Sequence, residues 1–203
     1  MTTGKKTYHH GDLKPALIAA GIEVLESEGI NRLSLRAIAA KVGVSHTAPK
    51  NHFGSLRGLL TAMATEGFRR HAAFMRNGLD DAAGPQARLD AAMQGYVRFA
   101  QRHPHLFDLM FSPLHCDHQD PDLRAAGHDS YTVLAGIARG LVWDKADTPG
   151  GQKRAEMMLW SLVHGYATLQ LAGLFSAGPA GPDSSFGISD IMPGFTYRAD
   201  EVG

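Results

Sequence analysis

Residues 34–53 read SLRAIAAKVGVSHTAPKNHF, and their reading decides the fold. Leu35, Ile38, Ala39 and Val42 recur at helical spacing, and the Ser34 hydroxyl precedes them as a cap for the first turn. Gly43 sits between Val42 and Val44, where a left-handed residue without a β-carbon closes a tight turn and the two valines plug a core. Ser45 is then placed to cap a second short helix running to His52. Two short helices joined in this way form a helix-turn-helix, whose second helix enters a major groove. Its outward residues, His46, Thr47, Lys50, Asn51 and His52, form hydrogen bonds suited to base edges and phosphates. Short helix pairs with a glycine turn also occur in proteins that bind no nucleic acid, so spacing alone leaves both readings open.

Working outward, the pattern stays helical and β-type alternation is scarce. Asp12 can cap a preceding helix with Leu13, Leu17, Ala20, Val24 and Leu25 inward, Pro15 in its first turn and Gly29 at its end. A long helix follows from Ser55 to about Asn77 through Leu59, Leu60, Met63, Phe68 and Met75. After a break at 80–85 the helical period resumes over 85–101, 104–111, 121–142 and 151–175. The expected architecture is all-α: a three-helix DNA-binding domain over 8–56, a larger helical effector-binding and dimerisation domain over 57–175, and a Gly/Pro-rich tail over 176–203. The tail reads as loop or disordered chain by composition, although Phe186, Ile188, Ile191, Met192, Phe195 and Tyr197 are apolar enough for part of it to pack.

The 203 residues carry no net charge, but the charge is unevenly spread. Residues 1–60 hold eight Lys and Arg against four acids, a net of +4, and the rest of the chain carries the compensating −4. A basic front on an acidic body is the asymmetry expected when one end faces phosphates, and random fluctuation in a neutral protein produces it too. No apolar run has the length of a membrane span, the first residues are polar and basic rather than a signal peptide, and the lone Cys116 forms no intramolecular disulfide. A reducing, cytoplasmic setting is expected. An enzyme is the competing class, but the chain has no G-x-S-x-G elbow, phosphate loop or H-E-x-x-H motif, and no cofactor is implied. A DNA-binding protein without an effector is the second alternative.

Tyr8-His9-His10-Gly11-Asp12-Leu13-Lys14, then Ser34-Leu35-Arg36-Ala37-Ile38-Ala39, Gly43-Val44-Ser45, His52-Phe53-Gly54 and Leu59-Leu60, together resemble the N-terminal domain of TetR-type regulators. Farther on, Trp160-Ser161-Leu162-Val163-His164-Gly165 is similar to a signature in the C-terminal domain of one TetR subgroup. The resemblance implies a homodimeric repressor on a roughly palindromic double-stranded DNA operator, released when a small molecule binds the body. It implies phosphate contacts at Ser34 and Arg36 and base-facing roles for His46, Thr47 and Asn51. Two positions depart from the pattern: Lys50 stands where the family has an aromatic phosphate contact, and Leu56 where it has a basic residue, with Arg57 beside it. The contact set therefore shifts toward Lys50 and Arg57. Lys5, Lys6, His9 and His10 form either an arm along the DNA backbone or a solvated end.

The segment 151–175 is apolar nearly all round, so it must be covered on most faces, and a second subunit is an economical cover. Met157, Ser161, His164 and Thr168, with Trp160, form a milder stripe that either lines an effector pocket or packs closely around a core histidine. The opposing wall would come from Met93, Tyr96, Val97, Ala100 and His103, followed by Phe107, Met110 and Phe111. Such a lining suits a small hydrophobic or aromatic effector, whereas the same residues in an ordinary core would bind nothing. His115, Cys116 and His118 read as a solvated connection rather than a metal site, since consecutive ligands seldom converge on one ion. No basic cluster in the sequence beside Cys116 marks it as a redox sensor.

Overall fold

The computed structural model describes residues 13–142, 148–175 and 186–198. The elements run α1 (Leu13–Glu28), α2 (Leu35–Val42), α3 (Ala48–Phe53), α4 (Leu56–Arg76), α5 (Pro85–Arg102), α6 (Pro104–Met110), α7 (Pro121–Ile137), β1 (Leu141–Val142), α8 (Gly151–Leu171), α9 (Ile188–Ile191) and β2 (Thr196–Tyr197). The all-α class expected from the periodicity holds. The expected Asp12 cap and the residues Lys5, Lys6, His9 and His10 lie outside the described residues. The chain divides into two compact units, Met1–Gly67 with His105–Arg124, and Phe68–Pro104 with Ala125–Gly203.

In the first unit α1, α2 and α3 pack on one another around Leu17, Leu25 and Ile38, which are fully buried. Residues 105–124, which their periodicity alone would place with the body, belong here for a polar reason as well as an apolar one. Glu26 of α1 accepts the N–H of Leu106 at 2.9 Å and of His105 at 3.4 Å, so a carboxylate meets the positive end of α6. The loop after α6 is clipped to the start of α4. Arg57 Nη2 donates to the Cys116 carbonyl at 2.9 Å, and the Asp117 N–H donates to Thr61 Oγ1 at 3.0 Å.

In the second unit α5 packs on α8 and α9. Gly95 permits the close approach of α5 to the end of α4: a β-carbon there would stand 2.2 Å from the Phe74 carbonyl oxygen and 2.9 Å from the Met75 Cα. Around this crossing Phe74 and Phe99 meet edge to face, with ring centroids 5.5 Å apart.

Two helices stop short of the expected ends. The helix expected to reach 142 ends at Ile137, because Leu141 and Val142 leave it to pair antiparallel with Tyr197 and Thr196. The helix expected to reach 175 ends at Leu171 and gives way to turns. The distant segment expected as a tail supplies α9 and β2, with Ile188 and Met192 buried. It is pinned by Tyr166 Oη donating to the Phe186 carbonyl at 3.0 Å and Gln94 Nε2 donating to Ser189 Oγ at 3.0 Å.

Gly95→Ala should destabilise the protein by about 2 kcal/mol or more in urea titrations, because the obstructing atoms are backbone. Gly136→Ala, in α7 with nothing within 4 Å of the new carbon, should instead raise stability by up to about 1 kcal/mol through helix propensity. Equal effects from the two substitutions would refute the close approach.

Candidate functional site

The helix-turn-helix is built by local chemistry. Ser34 is extended and its Oγ accepts the Ala37 N–H at 3.1 Å, which caps α2 as the sequence indicates. Gly43 is left-handed, with φ 76° and ψ 33°, and its N–H returns to the Ala39 and Ala40 carbonyls. Val44 N–H then donates to the Ala39 carbonyl at 3.0 Å and locks the reversal.

Ser45 does not cap the second helix. That helix begins at Ala48, with Thr47 before it, and residues 45–47 form a turn closed by Ala48 N–H donating to the Ser45 carbonyl at 2.9 Å. Ser45 Oγ accepts the Thr47 N–H at 3.3 Å instead. The reason is Pro49: with no N–H and a fixed φ it belongs in a first helical turn, so it sets the start of α3. Pro49 is buried and anchors α3, while Thr47, Lys50 and Asn51, at i, i+3 and i+4, share its exposed side, with His46 and His52 also exposed. Ser34 and Arg36 are exposed at the start of α2. Arg57 is exposed too, but one of its five N–H groups is committed to Cys116. The chain thus offers a short helix with an apolar anchor on one side and hydroxyl, ammonium, amide and imidazole groups on the other, the chemistry of base edges and phosphates.

The residues expected to line an effector pocket are drawn from both units. Phe107 and Met110 are buried and Phe111 half-buried in the first unit. Met93, Tyr96 and Val97 are buried in the second, and His103 is half-buried against Phe74 and Phe99. The α8 stripe divides as well. Met157, Trp160, Ser161 and Thr168 are on the exposed side of the helix, because the buried side is the one carrying Leu159, Val163 and Tyr166. Of the stripe, His164 reaches α5: its Nδ1 and Tyr96 Oη are 2.8 Å apart. Burial raises the Tyr96 phenol pKa, so the hydroxyl keeps its proton.

Sequence reasoning missed His71 and Ser130. His71 is buried against Tyr96 and Phe99, edge to face, with ring centroids at 4.3 and 5.1 Å, and its Nδ1 lies 2.7 Å from Ser130 Oγ. Burial, with a smaller contribution from His164, lowers its pKa to about 3 from the usual 6.5. A signal was available: His71 falls four residues before Met75 on the inner stripe of α4, and Ser130 four after the buried Ala126 on α7. Polar residues in phase with an apolar stripe are buried with partners. His71, Ser130, Tyr96 and His164 thus form a linked polar set amid apolar neighbours.

Cys116 is buried, its Sγ donating to the Leu109 carbonyl at 3.4 Å, and burial raises its pKa to about 11 despite the nearby Arg57. The thiol stays protonated. Nearby, His118 Nε2 lies 3.2 Å from the Ser112 carbonyl oxygen, and His115 is half-buried. Among the described residues no three His, Cys, Asp or Glu side chains are grouped to hold a metal ion. Among them, too, no helix is long and apolar enough to cross a membrane.

Two family models match. Bacterial regulatory proteins, tetR family, covers residues 17–63, and Tetracyclin repressor-like, C-terminal domain, covers residues 89–188. The uncharacterized HTH-type transcriptional regulator YobS of Bacillus subtilis (strain 168) is 26% identical over 99 residues, 49% of this chain and 51% of YobS. The match thus spans about half the length of that curated relative. A solved structure of a protein with unknown function from Rhodococcus sp. RHA1 is 33% identical, with a TM-score of 0.71 over 86% of this chain and 91% of that one. A TetR-family transcriptional regulator from Streptomyces coelicolor, 19% identical with a TM-score of 0.55 over 85% of this chain and 89% of that one, shares the fold.

The buried imidazole of His71 makes stability depend on pH. The unfolded chain takes up a proton below 6.5 and the folded chain only near 3, so stability is fully present above 6.5 and drains away on acidification toward 3. Between pH 7 and 5 the loss attributable to His71 should be about 2 kcal/mol. Urea titrations at the two pH values should show that loss in the parent and a much smaller one in His71→Phe; parallel losses would show that His71 is not the source.

Proposed function

The chain belongs to the TetR family of DNA-binding transcriptional regulators, and we propose that it is a homodimeric repressor of a palindromic operator, released by a small hydrophobic or aromatic effector. The observation that carries the DNA reading is the exposed side of α3, where Thr47, Lys50 and Asn51 stand together over the buried Pro49. In this reading His46, Thr47 and Asn51 face bases, with His52 and Ser45 beside them, and Ser34, Arg36, Lys50 and the free donors of Arg57 hold phosphates. Two copies of α3 then read half-sites about one turn, 34–36 Å, apart. The regulator acts in the cytoplasm.

What supports the dimer is the uncovered side of α8 and its surroundings. Met157 is 62% exposed, Trp160 40%, Leu169 44% and Phe186 54%, a concentration of apolar surface beyond what scattered exposed residues would give. Leu162, Gly165, Tyr166, Leu169, Phe186 and Ile191 line a groove there of about 390 Å³. What supports the effector is the polar pair Tyr96 and His164, beside the buried Met93 and Val97. An effector releases DNA by binding better to the state in which the two heads are wrongly spaced.

Selection of bound sequences from a random duplex pool at physiological salt should return inverted repeats with half-site centres about 10 bp apart, and a pool without enrichment would reject the function. On the selected site, Lys50→Ala should weaken binding to all sequences and lower the slope of log K against log salt by about one unit. An unchanged slope removes Lys50 from the phosphate contacts. Met157→Glu with Leu169→Glu should turn a dimer into a monomer in sedimentation and lower operator affinity by at least about tenfold. A dimer that survives both charges would place the interface elsewhere. A thermal-shift screen of aromatic and aliphatic compounds addresses the effector.

A further inference from the structure

A cleft of about 480 Å³ opens in the second unit between the end of α4, the start of α5, the end of α7 and β2. Three guanidinium groups border it, Arg76, Arg88 and Arg139, and among the described residues no acidic one does. Leu79, Val133 and Ile137 supply apolar walls beside them. In a chain of zero net charge, three cations about one concave surface concentrate positive potential locally. Arg88 is held in place by Nη1 donating to the Leu79 carbonyl at 3.1 Å, which leaves it four further N–H donors. Neither Arg76 nor Arg139 forms an ion pair among the described residues.

Two further features point to a ligand rather than to three solvated arginines. Tyr197 lines the cleft, and among the described residues its buried hydroxyl has no hydrogen-bond partner, nor has the buried Gln86 Oε1. Burial, with the Asp90 carboxylate, pushes the Tyr197 phenol up to about 12, so it keeps its proton and remains a donor. Asp90 itself accepts from Gln86 Nε2 at 3.3 Å. Arg88 also stands in the first turns of α5, where the helix end is positive, α5 has no acidic residue in its first turn and its cap Gly84 offers no side chain. A cation is unfavourable at that position unless an anion is held beside it. Arg139 borders a neighbouring cleft that contains Glu156, but that carboxylate is already met by Lys153 at 2.7 Å, by Gln152 at 3.1 Å and by the Tyr131 hydroxyl.

We propose that this cleft binds a small organic carboxylate with an apolar body. The planar forks of the arginines match a carboxylate in paired hydrogen bonds, and the apolar walls cover the chain or ring behind it. The cleft shares no lining residue with the Tyr96–His164 set, so this site does not rest on the effector reading above. A ligand here bridges the ends of α4, α5 and α7, and so stabilises their arrangement by mass action.

The test is isothermal titration of the full chain with hexanoate and benzoate against hexanamide and benzamide, with inorganic phosphate as the bare anion. Both carboxylates are expected to bind at least about tenfold more tightly than their amides, and to weaken as salt rises. Arg76→Gln with Arg139→Gln should weaken the carboxylates by a further factor of about ten or more, while leaving thermal stability without ligand unchanged. Amides binding as well as acids, or undiminished affinity in the double variant, would overturn the site. Phosphate binding as tightly as the carboxylates would overturn the ligand class. The comparison of acid with amide uses the unaltered chain, so it decides the matter even if the double variant folds poorly.

Discussion

A single left-handed residue governs what the N-terminal unit can do. Gly43 turns the chain within one residue, so α2 and α3 both keep their apolar sides on the α1 core while α3 leaves its polar side outside. A β-carbon at φ 76° would be strained whatever space surrounded it. The rest of the unit reinforces this turn. Ser34 caps one end of α2, Val44 locks the other, and Pro49 sets the first turn of α3 and anchors it in the core. With only six residues, α3 would not persist alone; its helicity comes from that anchoring. A helix so short can hold its polar side precisely because its support is rigid.

In the second unit several polar groups are buried and held by partners. His71 is kept neutral, Tyr96 keeps its proton, and Glu156 stays charged. Burial opposes the Glu156 charge, but hydrogen bonds from Lys153, Tyr131 and Gln152 outweigh it and hold the carboxyl below its usual range. Each such group costs stability compared with a well-packed apolar residue. What they contribute is direction: the Tyr96–His164 bond fixes how α8 is turned against α5, which an apolar contact alone fixes weakly.

Much of this was legible in the sequence where the signal was local. The α2 cap, the Gly43 turn and the bodies of α1, α4 and α5 follow from spacing within one or two turns. Ser45 misled because two local signals competed, a capping hydroxyl and a proline, and the proline's missing N–H prevailed. The end of α7 was illegible because the partner strand Thr196–Tyr197 lies more than fifty residues on, and no local pattern announces a pairing at that distance. The phase of α8 was illegible for another reason. A helix apolar all round has no preferred side, so its stripe could not be assigned to inside or outside from spacing. His71 and Ser130 were in phase with their stripes, and only the assumption that stripes are apolar hid them.

His164 ties α8 to the buried polar groups of α5. One turn before it, Trp160 stands on the exposed side of the helix, its ring edge to face with Tyr131 at 6.1 Å. Tyr96 in turn holds His164 and stacks edge to face on His71. A molecule that competes for the Tyr96 hydroxyl must therefore release His164, and His164 sits on the same helix as the exposed Met157 and Trp160. Coupling of this kind needs no long pathway, because one helix carries both the polar contact and the proposed interface. The physical requirement is that α8 has two discrete arrangements, with His164 bonded to Tyr96 or not, which an effector and a dimer partner would favour differently.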